Sequence, residues 1–263
     1  MTLQSIVPSP AVAHYVHDIV VLEAGHLHSD TTIPLVAKGY PSITFQSTCI
    51  KLPGGTVRTI EQLVLYGQNV QPFLLQASGH LYVMAYFLHP YLLKYFFGFN
   101  AKEIKDLYID LSTMRPARGM NLKERLANAV GTHARLQLMD DYIRKLTMAQ
   151  YENDNKAIVW PINEIQKSKG LVSLPSLQSE LCVTERTFQR LFESYIGVSP
   201  RLYSKICQFN AAFAQFSKGQ YDKLSDIAYG HGYADQSHFI RTFREFTQLT
   251  PGEYLKNLPD DAH

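Results

Sequence analysis

The chain has 263 residues, 46% of them hydrophobic and 12% aromatic, with a formal charge of +2. This length and apolar content exclude a disordered or low-complexity protein and leave room for two domains, each with its own core. The near-neutral balance excludes any nucleic-acid argument from bulk charge, because such binding depends on phosphates neutralised locally.

The N-terminus lacks a basic segment followed by an apolar core, so no secretory leader is expected. His26-Leu27-His28 places two imidazoles on one side of an extended segment. Asp30 is too close and His80 and His89 stand alone, so neither a metal nor another cofactor is expected. Strand patterns follow at Ser42–Cys49, Gln62–Tyr66, Val70–Gln76 and Leu81–Leu88, with turn signals at Pro53-Gly54-Gly55 and Gly67-Gln68-Asn69. Together they predict a small antiparallel β unit. Tyr40, Phe45, Tyr66, Phe73, Tyr82, Tyr86 and Phe87 either enclose an apolar ligand or simply fill that unit. Alternation separates Tyr82, Tyr86 and Leu88 from Val83, Ala85 and Phe87 without showing which face is inner. The most apolar stretch, His80–Phe97, is broken by His89, Pro90 and Lys94, and so predicts a strand followed by a helix and no membrane span.

Helices are predicted at Pro90–Phe97, Asn121–Val130 and Thr132–Tyr151. Leu122, Leu126 and Val130, then Leu136, Met139, Tyr142, Ile143 and Leu146, form apolar stripes at helical spacing. One stripe is expected to cover the β unit. The remaining surface either buries against a second subunit or belongs to a hairpin within the domain, since periodicity does not identify what a face packs against. The polar run Tyr151–Lys156 is the linker candidate, dividing the chain into domains 1–154 and 155–263.

Beyond it, Val183–Tyr203 recurs 51 positions later as Ala234–Tyr254. Phe188, Arg190, Phe192, Pro200 and Tyr203 fall on Phe239, Arg241, Phe243, Pro251 and Tyr254, while the polar positions between them differ. At ~100° per residue, Phe188, Leu191, Phe192 and Tyr195 gather on one helix side and Arg186, Gln189, Arg190 and Glu193 on the other. Thr184 and Asp235 suit N-caps, Gly197 a left-handed stop, and Ser199-Pro200 a new helix start. Short helices at Leu174–Leu181 and Lys223–Gly230 precede the two copies, giving two helix-turn-helix units joined by a helix over Pro200–Phe216. Arg and Gln match the acceptor and donor edges of guanine and adenine, and an exposed Ile240 suits a thymine methyl. A single polar helix face is usually only solvated; its recurrence favours recognition.

These residues resemble the DNA-binding domain of the AraC/XylS-type bacterial transcription regulators. The likeness rests on Leu177, Leu181, Val183-Thr184, Arg186-Thr187-Phe188, Arg190 and Phe192. In the second unit it rests on Ser225-Asp226-Ile227-Ala228-Tyr229, Gly232-Tyr233, Asp235-Gln236-Ser237-His238-Phe239, Arg241, Phe243-Arg244, Thr250-Pro251 and Tyr254. The resemblance implies that Arg186, Gln189 and Arg190 face bases from the first unit and Gln236, Ser237, His238 and Arg241 from the second. Gln178 stands where the family usually has Ala, and Gln208 where many members have Arg. The N-terminal half resembles the family's sensor halves more loosely, through Pro8-Ser9-Pro10, Gly39–Gln46 and Leu88-His89-Pro90, implying a cupin-like barrel followed by dimerisation helices.

The expected fold is therefore α+β: an N-terminal small β-barrel with helices, then an all-α domain with two helix-turn-helix motifs. The resemblance implies a cytoplasmic transcription regulator acting on double-stranded promoter DNA. RNA polymerase, a small-molecule effector and a second copy of the chain are the further partners it suggests, and no membrane is. The alternatives are an enzyme with a cupin-like domain and a DNA-binding tail, or a dimeric regulator without an effector. No catalytic triad, phosphate-binding glycine loop or paired catalytic carboxylates are present, so no catalytic residue is assigned. Cys49, Cys182 and Cys207 are widely spaced and read as reduced thiols.

Overall fold

The computed structural model describes residues 2–35, 38–47, 50–52, 58–60, 62–70, 73–148 and 156–256. Pro53-Gly54-Gly55, Cys49 and most of the linker candidate lie outside these residues, as do the side chains of His26, His28 and Phe73. The N-terminal half is built on β1 (Thr2–Ile6), β2 (Val16–Leu35), β3 (Ser42–Gln46), β4 (Ile50–Leu52), β5 (Arg58–Ile60), β6 (Leu63–Tyr66), β7 (Phe73–Leu88) and β8 (Tyr108–Asp110). Their order is β1-β2-β7-β3-β6-β8, with β4 paired to β5 and β7, and every pairing is antiparallel. The sheet is an open path ending at β1 and β8, not a ring. Helices cover its apolar face, so burial does not require the strands to close on themselves. The patterns at Val70–Gln76 and Leu81–Leu88 merge into the single strand β7. Its partner β2 carries register shifts between Ala24 and Leu27 and between Leu27 and Thr31, bulges that interrupt the alternation a strand reading needs.

The structure identifies the inner face. Tyr82, Met84, Tyr86 and Leu88 pack with Ile19, Val21, Ile43, Phe45, Leu63 and Leu65. The core is closed by Leu122 and Leu126 of α2 (Leu122–Asn128) and by Met139, Tyr142, Ile143 and Leu146 of α3 (Gly131–Met148). The Tyr86 hydroxyl donates to Asp140 at 2.9 Å, and the Arg135 guanidinium lies 4.2 Å from the Tyr82 ring centre. These aromatics therefore fill the space between sheet and helix. The α3 stripe is spent inside its own domain, so a charge placed at Met139 or Ile143 would report on folding and not on assembly.

Between β7 and β8 lie α1 (Leu92–Phe97) and a 3-10 turn, Ala101–Ile104, and two more 3-10 turns, Leu111–Thr113 and Arg118–Met120, follow β8. The C-terminal half comprises α4 (Lys156–Lys167), α5 (Leu174–Glu180), α6 (Glu185–Ile196), α7 (Pro200–Ser217), α8 (Leu224–Gly230), α9 (Gln236–Thr247) and α10 (Pro251–Lys256). Helix α4 was not foreseen; Pro161 lies within it and ordinarily argues against a helix interior. Ile158, Ile162 and Ile165, all buried, nevertheless share one face.

Helix α7 is the axis of this half. Phe209 stacks on Phe246 at 5.0 Å, and Phe243 meets Phe209, Phe213, Phe216, Phe239 and Tyr254 at 5.0–5.8 Å between ring centres. Edge-to-face rings of this kind add to the burial of their large apolar surfaces. Truncating Phe243 to Ala is expected to lower unfolding stability by about 3–5 kcal/mol. Urea denaturation of the full chain checks this, and a loss below about 1 kcal/mol would show that the cluster collapses around the cavity or is not central to the core.

Candidate nucleic-acid interface

The two helix-turn-helix units are shaped by matching local rules. Thr184 caps α6 by accepting from the Thr187 amide at 3.3 Å, and Asp235 caps α9 by accepting from the His238 amide at 2.7 Å. Each satisfies an amide left free at a helix start. Phe188 and Phe192 in α6, and Phe239, Phe243 and Phe246 in α9, are fully buried. The polar side of each helix is thereby turned to solvent. Arg186, Gln189 and Arg190 are exposed on α6, and Gln236, Ser237 and Arg241 on α9.

Two side chains sit less openly than the sequence suggested. His238 is half-buried with its ring edge-on to Tyr233 at 5.2 Å, and Ile240 is half-buried instead of exposed. Gln189 donates to Glu193 at 3.0 Å. Gln208, which stands where many members of the resembled family have Arg, donates to the carbonyl of His231 at 2.8 Å. It therefore ties α7 to the end of α8, a role its position alone did not signal. Between α4 and α5, Gly170 has φ +80°, and a Cβ there would lie 2.1 Å from the Ser204 carbonyl oxygen. Only glycine fits that crossing.

A contact that sequence reasoning missed joins the first unit to the N-terminal half. Lys94 of α1 donates to Ser194 at 2.7 Å and lies 4.3 Å from the Tyr195 ring centre. Lys102 pairs with Glu193 at 2.7 Å, and the bonds from Lys102 and Gln189 hold that carboxyl below its usual range. Gly197, the left-handed residue ending α6, would place a Cβ 2.8 Å from the Ala101 carbonyl oxygen. Helix α7 is gripped as well. Asn210 donates to the Lys38 carbonyl at 2.5 Å, and Gln166 of α4 donates to Tyr40 at 3.2 Å and Tyr203 at 2.8 Å. Lysines at helix spacing look like solvated surface in a sequence, so no pattern could have found this clamp.

Residues 177–257 match the family model described as a helix-turn-helix domain, and residues 4–110 match one described as a domain of unknown function (DUF6597). An HTH-type transcriptional regulator of Haemophilus influenzae is 29% identical over 105 residues, which cover 40% of this chain. The match spans 34% of that curated relative's length. The 1.65 Å structure of ToxT from Vibrio cholerae superposes with a TM-score of 0.55 at 16% identity, covering 98% of this chain and 99% of that one. ToxT with unsaturated fatty acid bound gives 0.55 at 18% identity, with 93% and 97% covered. At such identities the superpositions establish shared fold. The match over residues 177–257 and the repeated capped units make the C-terminal part a helix-turn-helix domain. Over residues 177–257 the chain resembles the DNA-binding domain of the AraC/XylS-type regulators.

No helix among the described residues is long and apolar enough to cross a membrane, and no group of three or more metal-ligating side chains occurs among them.

His89 lies between β7 and α1, with its ring parallel to Tyr91 at 5.9 Å. Tyr91 packs against both cores. Burial, reinforced by nearby His17, pushes the His89 pKa down from 6.5 to about 4. The unfolded chain therefore binds more protons than the folded one between these values. The stabilisation from neutral His89 is complete above about 6.5 and is lost as pH falls toward about 4. Denaturation profiles are expected to show stability rising across that interval, and His89→Phe should flatten the rise. An equal slope in the variant would assign the protons to another group.

Proposed function

We propose that the chain is a sequence-specific DNA-binding transcription regulator in which Arg186, Gln189 and Arg190 read bases from α6, and Gln236, Ser237, His238 and Arg241 read them from α9. The observation that carries this reading is the recurrence of a solvent-facing Arg/Gln surface on two helices whose phenylalanine faces are wholly buried. Second helices of such units enter the major groove, and arginine pairs in bidentate fashion with guanine. The 18 residues of α7 extend about 27 Å. That length suits two reading helices set one DNA turn, ~34 Å, apart once their own offsets are added.

In this reading, residues 1–154 form a sensor and dimerisation domain and residues 155–263 the DNA-binding domain. A small-molecule effector, a homodimer and contact with RNA polymerase belong to the same proposal, as does a cytoplasmic location. Control by a small molecule is supported by the like-folded ToxT structure that holds an unsaturated fatty acid. Basic and acidic residues balance from Ala157 onward, so affinity must come from local contacts, and a second linked copy would raise it.

The test uses a duplex selected by the full-length protein from a random pool, together with a scrambled duplex of equal length. Arg190→Ala and Arg241→Ala should each cost about 1–3 kcal/mol on the selected duplex and relax preference at different base positions. Losses of equal size on both duplexes would mean that these arginines touch only phosphate, and no loss would remove them from the interface.

A further inference from the structure

A cavity of about 960 Å³ opens on the N-terminal half, away from the exposed faces of α6 and α9. Phe96, Pro116, Met120 and Leu146 supply apolar lining, and Arg115, Arg118 and Lys145 supply charge. No carboxylate lines it. Among the described residues none of the three cations forms an ion pair. The acidic residue one turn before Lys145, Asp141, is bound to Arg144. Three like charges around one cavity repel one another unless something neutralises them. Guanidinium forks match the paired oxygens of phosphate or carboxylate, and the size falls within the usual range for small-molecule sites.

We propose that this cavity binds a small organic anion, its doubly charged acid group held by Arg115, Arg118 and Lys145 and its apolar portion lying over Phe96, Pro116, Met120 and Leu146. A phosphate monoester with a short hydrocarbon substituent has the required chemistry. The site extends the regulator reading above, on which its regulatory meaning rests. Phe96 belongs to α1, and two residues earlier Lys94 holds Ser194 and Tyr195 of the first reading helix. Lys145 and Leu146 lie near the C-terminal end of α3. An occupant therefore rests against α1, which docks on α6, and against the last turns of α3. Phe45, Tyr82 and Tyr86 of the sheet, by contrast, are committed to the core that α3 closes.

The experiment is calorimetric titration of the full-length chain with hexyl phosphate, with hexanol and inorganic phosphate as separate probes. Arg115→Gln/Arg118→Gln removes charge. Gly119→Phe fills the space, since no atom lies within 4 Å of a Cβ built at Gly119. The expected result is one site per chain, hexanol showing no binding and inorganic phosphate binding more weakly than hexyl phosphate. Both variants should remain folded by circular dichroism and lose at least about tenfold in affinity for hexyl phosphate. Affinity unchanged in both variants, or hexanol binding as tightly as hexyl phosphate, overturns the proposal. The same samples are assayed on the selected duplex. Wild-type protein that binds the duplex but not hexyl phosphate overturns the cavity assignment alone. Wild-type protein that binds neither overturns the regulator reading with it.

Discussion

The Ala101 carbonyl comes so close to the end of α6 that a Cβ on Gly197 would lie 2.8 Å from it, and Gly197 is also the left-handed residue that stops the helix. One position thus answers two demands that an L side chain meets poorly: positive φ and close backbone approach. Around it, Lys102 to Glu193 and Lys94 to Ser194 fix the rotation of the helix. The exposed ion pair contributes little by itself, since surface pairs are worth ~1 kcal/mol or less. Its effect is geometric. The C-terminal turn of α6 is held by the N-terminal half while the N-terminal turn, with Arg186, Gln189 and Arg190, faces solvent.

The second unit is held differently. The contacts of α9 run to α7 through Phe209, Phe213, Phe216 and the Lys205–Glu245 pair, and to α10 through Tyr254. Helix α6 is thus coupled directly to the N-terminal half and α9 through α7. Because Leu92, Leu93 and Phe96 of α1 are buried in the N-terminal core, a change in that core would reach α6 through α1 before it reached α9. Coupling of this kind needs an element with two arrangements that both sites bias. The docking of α1 and the Ala101–Ile104 turn on α6 is the candidate element.

Much of this was legible in the sequence where one rule dominates. The repeat, the caps Thr184 and Asp235, the Gly197 stop and the phenylalanine stripes gave both helix-turn-helix units nearly to their ends, because helical period and capping act locally. Helix α4 was not read from the sequence; Pro161 inside it departs from the usual helix pattern, although Ile158, Ile162 and Ile165 share its buried face. The long strand β2 escaped because its register shifts break alternation. Pairing in space was the least legible. Lys94, Lys102 and Gln208 carry no pattern that distinguishes a docked side chain from a solvated one. Likewise the sequence left Tyr82 and Tyr86 to line a cavity or, as the plainer reading, to fill a core, until α3 was placed over them.

The central claim is that one chain presents two base-reading helices at a fixed separation. Selection of DNA from a random pool by the full-length protein, followed by protection footprinting on the enriched duplex, tests it most directly. The account predicts two blocks of base preference on one face of the duplex, about one helical turn (~10 base pairs) apart for each bound chain. A single block per chain, or protection with no enriched sequence, would contradict it.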